Sequence, residues 1–154
     1  MTAATTTAAH IELLTQVINA IPFNRIVGLS LQAIDADHIT MRFDMNPDLI
    51  GNYLHGILHG GVIATVLDMA GGTAAMITAV QKYPDKTFAE ISTQLGKAST
   101  TNLTINFMRP GKGKHFIAKA SVLQSGNKIT FTRMDLFSDT HELIASATGT
   151  YLLG

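Results

Sequence analysis

The sequence predicts an α+β fold in which an antiparallel sheet of five or six strands packs on one long helix. Two observations lead to this prediction. Residues 60–80 form a mostly apolar segment of the right length for a central helix. Short stretches of alternating apolar and polar residues stand on both sides of it. No repeat or Pro/Gly-rich linker divides the 154 residues, so we expect one domain over residues 1–154.

The elements expected before the central helix are a short helix and two strands. Residues 1–9 are small and polar, and we expect them to fray. Apolar residues at helical spacing then predict a short N-terminal helix that stops at Pro22. Two strands follow, at 26–33 and 38–44, around a turn at 35–37.

Strands predominate after the central helix. A loop that begins at Asn46-Pro47 leads into this helix, and a second loop, through Phe88 and Leu95, follows it. The remaining strands are expected at residues 101–108, 115–124, 128–137 and 142–153. In the first of these strands, three apolar residues alternate with polar ones: Leu103, Ile105 and Phe107.

Composition narrows the function classes. Lys plus Arg and Asp plus Glu are 11 each, so no net charge attracts nucleic acid or an anionic membrane. The sequence has no cysteine for a disulfide or thiolate, and no ligand spacing predicts a metal or other cofactor. The N-terminus lacks the pattern of a secretory signal, so we expect a cytoplasmic protein. Residues 56–80 are apolar, but His59 and Asp68 within them argue against a membrane span.

Asp68 lies on an unusual face of the predicted helix. The residues within about 60° of it on a helical wheel are all small. They are Gly61, Ala64, Thr65, Gly71, Gly72, Ala75 and Ala79. A buried carboxylate must be paired, hydrogen-bonded or protonated, and a stripe of small residues lets a partner helix or a substrate approach it. A plain helix–helix contact is the alternative interpretation.

The start of this helix predicts a second half of a site. The first backbone N–H groups of a helix have no partner within it, and the helix dipole adds partial positive charge there. Gly60 and Gly61 leave those groups uncovered, as an oxyanion hole requires. An ordinary glycine-rich helix start would look the same.

The spacing between the two halves predicts a shared site. Gly60 and Asp68 are eight residues apart, which is about 12 Å along a helix axis. One reacting carbonyl needs both groups within about 3–3.5 Å. Two antiparallel copies of the helix satisfy this condition, so we expect a dimer, or a dimer of dimers, with composite sites.

Four segments resemble a known enzyme family. They are HGGVIATVLDMAGG (59–72), FMRPGKGK (107–114), GNKITFTRMDLFS (126–138) and IASATGTYLLG (144–154). They are similar to the PaaI-like acyl-CoA thioesterases of the hotdog superfamily, nearest the bacterial YigI-type branch. The most specific feature is HGG with an aspartate nine positions after its histidine, followed by a strand that ends in Arg-Pro-Gly. The resemblance implies the hotdog fold, a curved antiparallel sheet wrapped round one long central helix.

The resemblance also implies roles for individual residues. Asp68 would be the nucleophile or general base, contributed across the dimer interface. Gly60 would polarise the thioester carbonyl through its amide, and His59 would order that turn. Thr100 matches the Ser/Thr that helps to hold the attacking water. Asn52 is the candidate for a polar residue upstream of HGG, although it stands seven residues before His59 where some relatives have six.

The remaining candidates are substrate-binding residues. His55 either replaces Asn52 or lines the loop. Thr65 and Gly72 border Asp68 on the small-residue stripe, which leaves room for an acyl tunnel. Three of the 11 cations lie between residues 109 and 114, and Arg and Lys bind phosphates such as those of coenzyme A. These cations are Arg109, Lys112 and Lys114, and a solvated turn is the alternative.

Three functions are compatible with these sequence features. The preferred one is hydrolysis of a fatty-acyl or aryl-acyl thioester of coenzyme A, with Asp68 attacking directly or activating water. A non-catalytic acyl-CoA binding module on the same fold is the second. A hotdog enoyl hydratase or dehydratase is the third, although the histidine of HGG at the helix start favours hydrolysis. The expected partners are an acyl-CoA substrate and further copies of this chain.

Overall fold

The computed structural model describes residues 3–153, with side chains from residue 7 onward. Its elements, in chain order, are α1 (Ala3–Ala20), α2 (Pro22–Val27), β1 (Ser30–Ile34), β2 (Ile39–Asp44), a 3₁₀ turn (Pro47–Leu49), β3 (Ile50–Asn52), β4 (Ile57–Leu58), α3 (Gly60–Lys82), α4 (Phe88–Leu95), β5 (Ser99–Phe107), β6 (His115–Ser125), β7 (Ile129–Ser138) and β8 (Leu143–Leu152).

Six of the strands form one antiparallel sheet in the order β1-β2-β6-β7-β8-β5. Strands β3 and β4 pair separately as a short ribbon. The sheet packs on α3, and large apolar side chains from both sides fill the core between them. The predicted α+β hotdog architecture, with six strands and one central helix, is confirmed. Strands β1 and β5 are the two edges of this sheet.

The central helix begins where the sequence predicted and ends two residues later. Its large apolar residues are buried against the sheet, among them Ile63, Leu67 and Val80, which are 3% exposed or less. By length and hydropathy alone α3 could cross a membrane, but 56% of the apolar window is buried inside the fold. A core helix of this kind passes the same test.

The N-terminal region differs from the prediction. Helix α1 begins at Ala3, so most of the segment expected to fray is helical; residues 1 and 2 lie outside the described residues. Pro22 does end α1, but it also occupies the first turn of α2, where its missing N–H costs nothing. The strand expected to begin at residue 26 therefore starts only at Ser30, after Gly28 closes α2 with a φ of 76°.

Helix α4 replaces the loop predicted after the central helix. Thr87 and Glu90 form a reciprocal capping box at its start, and Ile91 buries its inner face. This Thr-x-x-Glu pattern is a helix-start signal that the loop interpretation overlooked. The strands that follow lie within two residues of their predicted ends.

Candidate active site

Asp68 lies half-buried in the middle of α3, at a pocket of about 100 Å³. Most of the pocket wall is apolar. The lining residues are Asp68, Met69, Gly72, Thr73, Met76, Ala98, Ser99, Thr100, Tyr151 and Leu153. They come from α3, from the segment that enters β5, and from the end of β8. The pocket therefore places one carboxylate beside a surface suited to an alkyl or aryl group.

Thr100 holds the carboxylate. Its hydroxyl donates to Oδ1 of Asp68 at 2.9 Å. This contact depends on an irregular register in β5, where Thr100 pairs with Tyr151 but the next pair is Asn102 with Thr150. The extra residue, Thr101, shifts the alternation, so that Thr100 faces α3 together with Leu103 and Ile105.

Tyr151 is a site residue that the sequence interpretation missed. Its hydroxyl donates to the main-chain carbonyl of Asp68 at 2.9 Å, and its ring is 3% exposed. The approach requires glycine at position 71, because a Cβ there would collide with the hydroxyl. Burial raises the pKa of Tyr151, and the charge of Asp68 raises it further. The hydroxyl therefore stays a neutral donor across the physiological pH range.

The start of α3 is organised by its own histidine. His59 is the N-cap, and its Nδ1 accepts a hydrogen bond from the Gly61 amide at 2.8 Å. This corrects the expectation that the Gly60 and Gly61 amides are both free, because His59 occupies the second one. Among the described residues, no hydrogen-bond acceptor is found for the Gly60 amide. The ring of Phe107, at the end of β5, lies 3.6 Å from the position that a Cβ on Gly60 would take.

The structure keeps the carboxylate and the free amide apart within one chain. Both belong to one uninterrupted helix, and eight residues separate them. Thr100, at the start of β5, contacts Asp68, whereas Phe107, at the end of β5, adjoins Gly60. The two halves of the predicted site thus lie at opposite ends of the same edge strand.

The polar residues upstream of HGG belong to the helix-start end. Asn52 ends β3 and His55 lies in the following turn, both exposed, with the His55 amide 3.3 Å from the Asn52 carbonyl. Strand β3 passes close to HGG, since a Cβ on Gly51 would lie 2.7 Å from the His59 Cα. Among the described residues, neither Asn52 nor His55 is hydrogen-bonded to Asp68 of the same chain.

The cationic loop also lies at the helix-start end. The amide of Leu58, in β4, donates to the carbonyl of Gly111 at 3.0 Å, which fixes the loop beside HGG. Lys112 and Lys114 are exposed there. Arg109 is exposed too, but its Nη1 donates to the Leu143 carbonyl at 3.1 Å, so part of its guanidinium already has a structural partner.

Thr65 and Gly72, the two substrate-binding candidates on the small-residue stripe, lie in different surroundings. Gly72 lines the Asp68 pocket, as expected for a residue beside an acyl group. Thr65 is half-buried about one turn before Asp68 and is not part of the pocket wall. Among the described residues, no three His, Cys, Asp or Glu side chains are grouped as a metal site would require. The expectation that no cofactor takes part stays a prediction.

A larger pocket of about 200 Å³ lies near the C-terminal end of α3. The turn between β1 and β2, the second half of α3 and the middle of β6 form its walls. None of the predicted site residues belongs to it. We place the candidate active site at Asp68, because Thr100 holds its carboxylate and Tyr151 holds its main-chain carbonyl beside an apolar pocket.

Comparison with known families identifies the superfamily of this chain. Residues 55–145 match the family described as the thioesterase superfamily, and this range covers HGG, Asp68, Thr100 and the cationic loop. The chain belongs to the thioesterase superfamily. The family predicted from the sequence, and its class as thioester hydrolases, are confirmed.

Individual relatives support the same assignment. The chain is 35% identical over 133 residues to the medium/long-chain acyl-CoA thioesterase YigI of Escherichia coli, and the match covers 86% of each protein. A thioesterase-superfamily structure from Shewanella oneidensis is 36% identical, with a TM-score of 0.91, covering 96% of this chain and 97% of that one. The PaaI protein of E. coli shares the fold, with a TM-score of 0.74 at 15% identity, over 95% of this chain and 94% of its own.

Proposed function

We propose that this protein hydrolyses acyl-CoA thioesters to the free acid and coenzyme A, with Asp68 as the catalytic carboxylate. The observation that carries the proposal is the half-buried Asp68 carboxylate, held by Thr100 at the mouth of an apolar pocket. The identity of 35% to an acyl-CoA thioesterase supports the substrate class. The pocket walls, with Met69, Met76 and Leu153, suit an aliphatic chain, and the name of that relative points to a chain of medium or greater length.

Asp68 acts on the thioester in one of two ways. As a nucleophile, the carboxylate adds to the carbonyl carbon and the C–S bond breaks. The products are a mixed anhydride and the thiolate of coenzyme A, which takes up a proton; water then cleaves the anhydride. As a general base, Asp68 takes a proton from water, whose oxygen forms the new C–O bond directly; the C–S bond then breaks, and the departing thiolate of coenzyme A takes up a proton. Thr100 donates to Oδ1, which leaves Oδ2 for either task.

The Gly60 amide is the proposed oxyanion donor. It has no acceptor of its own among the described residues, and it stands at the positive end of the α3 dipole. Since Gly60 and Asp68 of one chain are separated along the helix, the donor for a given Asp68 comes from a second copy. His59 keeps the turn in shape through its bond to the Gly61 amide.

The open edge of β5 supplies a route to this composite site. On its free side, β5 presents a row of unpaired backbone groups that a second copy can complete. If two β5 edges pair antiparallel with Leu103 of one copy opposite Thr104 of the other, Thr100 of one copy lies opposite Phe107 of the other. Asp68 is bonded to Thr100, and Gly60 adjoins Phe107. The pairing therefore brings the carboxylate of one copy toward the amide of the other, twice per dimer.

The experiment is a thiol-release assay across saturated acyl-CoA chain lengths and aryl thioesters. We expect the highest kcat/KM for medium or long aliphatic chains, and Asp68→Asn to lower kcat by at least about 10³ while the fold is retained. Near-normal turnover by Asp68→Asn would end the assignment. Binding without thiol release would indicate an acyl-CoA binding module, and hydration of an enoyl-CoA without thiol release would indicate a hydratase.

Isotope labelling separates the two chemical routes. In a single turnover in H₂¹⁸O with excess enzyme, an anhydride that water opens at the Asp68 carbonyl puts solvent oxygen into Asp68, and the product acid carries an oxygen from Asp68 instead, which general-base catalysis cannot produce. General-base catalysis puts solvent oxygen into the acid from the first turnover. Mass spectrometry of the product and of the peptide that contains Asp68 reads both outcomes.

A further inference from the structure

Thr100 and Tyr151 stand directly opposite each other on neighbouring strands. They form a register pair between β5 and β8, so both side chains leave the sheet on the side that faces α3. Both reach the same residue of that helix. Thr100 donates to the carboxylate of Asp68 and Tyr151 donates to its main-chain carbonyl, each at 2.9 Å.

The chain makes room for this arrangement at three positions. A Cβ on Gly71 would meet the Tyr151 hydroxyl, and a Cβ on Gly149 would lie 2.8 Å from its ring. The extra residue at Thr101 turns Thr100 toward the helix. Gly71 is costly for an ordinary helix–sheet contact, because a glycine inside a helix is less stable than alanine by about 1 kcal/mol.

We propose that Tyr151 is a positioning residue, and that the pair of Thr100 and Tyr151 holds Asp68 at two points for catalysis. Thr100 orients the carboxylate, while Tyr151 fixes the backbone from which the carboxylate projects. This inference rests on the proposed function of Asp68 and adds a residue that has no contact of its own with the reacting atoms. An error of a few tenths of an ångström in the carboxylate position matters, because attack requires a narrow range of distances.

The principal test is Tyr151→Phe in the full-length chain, which keeps the ring and removes the hydroxyl. We expect kcat for acyl-CoA to fall about tenfold, as one lost hydrogen bond permits, with KM within about twofold. Tyr83→Phe is the matched control, since Tyr83 lies at the far end of α3 and outside the pocket. It is expected to leave kcat unchanged. Wild-type kcat in Tyr151→Phe would overturn the proposal.

Combining Tyr151→Phe with a second substitution distinguishes a positioning role of Tyr151 from a general contribution to stability. If Tyr151 acts through Asp68, Tyr151→Phe lowers the residual rate of Asp68→Asn no further, and its effect is not additive with that of Thr100→Val. A purely structural role would lower the residual rate again in the Asp68→Asn background, and this result would also overturn the proposal. Gly71→Ala gives an independent route, because its Cβ displaces the hydroxyl while Tyr151 is retained; the same fall in kcat is expected.

The failure of this inference can be told from failure of the proposed function. If the wild-type chain releases no thiol, or Asp68→Asn remains active, the proposed function and the inference fall together. If the wild-type chain is active and Asp68→Asn is not, normal turnover by Tyr151→Phe removes the inference alone.

Discussion

The pocket beside Asp68 and the start of α3 differ in how the chain builds them. The pocket depends on contacts between residues far apart in sequence, with α3, β5 and β8 each supplying one member of the Asp68–Thr100–Tyr151 group. The helix start is local, because His59 caps the helix two residues away. Asp68 is half-buried and held at two points by hydrogen bonds, whereas the residues at the helix start are largely exposed. One chain therefore holds the carboxylate through its own residues, and under the proposed function a second chain supplies the amide.

After the loss expected for Asp68→Asn, the largest expected effect concerns the helix start. Gly60→Pro removes the amide that we assign to the oxyanion, and proline is tolerated at the first helical position. His59 already has the extended backbone that a following proline requires, with φ of −65° and ψ of 135°. We expect kcat to fall by about 10²–10³, which is typical of a lost oxyanion donor. Steady-state thiol release measures it.

Gly60→Ala is the control for this variant. Alanine keeps the amide, and its Cβ would make ordinary contact with Phe107 at 3.6 Å. We expect near-normal kcat. Equal losses in the proline and alanine variants would mean that space, and not the N–H group, matters at this position.

The second effect concerns the stability of the pocket. A Cβ on Gly71 would lie 2.8 Å from both the Met134 sulfur and the Thr132 hydroxyl, so Gly71→Ala overfills a closed region. We expect the free energy of unfolding to fall by about 1–3 kcal/mol, measured by urea denaturation. Gly72→Ala is the control, since its Cβ meets the Tyr151 ring no closer than 3.4 Å. It should be neutral or slightly stabilising. Equal losses would contradict the close approach at position 71.

A smaller effect appears at alkaline pH. The pKa of Tyr151 is raised in the folded state, first by burial and then by the charge of Asp68. In the unfolded chain tyrosine ionises near pH 10. The contribution of Tyr151 to the free energy of unfolding is therefore intact below that pH and is lost as pH rises further. By pH 11 we expect a loss of about 1 kcal/mol from this residue, seen as a difference between wild type and Tyr151→Phe. Identical alkaline unfolding of the two proteins would contradict the burial of a neutral hydroxyl.

The smallest effect concerns the exposed loop beside HGG. Replacing Lys112 and Lys114 together by alanine removes charge that we assign to the phosphates of coenzyme A. We expect KM to rise about three- to tenfold at low salt, with kcat unchanged and the difference reduced at high ionic strength. Lys119→Ala, on β6, is the control. A loss in kcat without a change in KM would contradict a binding role.

The difference between the local helix start and the pocket built from distant residues explains what could be predicted from the sequence. The helix over 60–80, its small-residue stripe and the HGG start are periodic or contiguous patterns, so they were predictable. The inward position of Thr100 followed only from family resemblance, because strict alternation from Leu103 places Thr101 on the inner face. The extra residue in β5 cannot be read from alternation, since register depends on the partner strand.

Tyr151 was missed for a related reason. Its bond to the Asp68 carbonyl joins residues 83 positions apart, which no local pattern reveals. Glycines 71 and 149 were the available signal, because each is the position where the tyrosine needs space. The engagement of the Gly61 amide was also hidden, since a histidine N-cap looks the same in sequence whether or not its ring turns back on the helix.

The central claim is that one chain lends Asp68 and another lends the Gly60 amide to a single site. The most direct measurement mixes inactive Asp68→Asn with inactive Gly60→Pro, after dissociation and reassociation, and assays thiol release. Half of the dimers are then mixed and each holds one intact composite site of two, so the account predicts recovery of about a quarter of wild-type activity. No recovery, with mixed dimers shown to form by differential tagging, would contradict it.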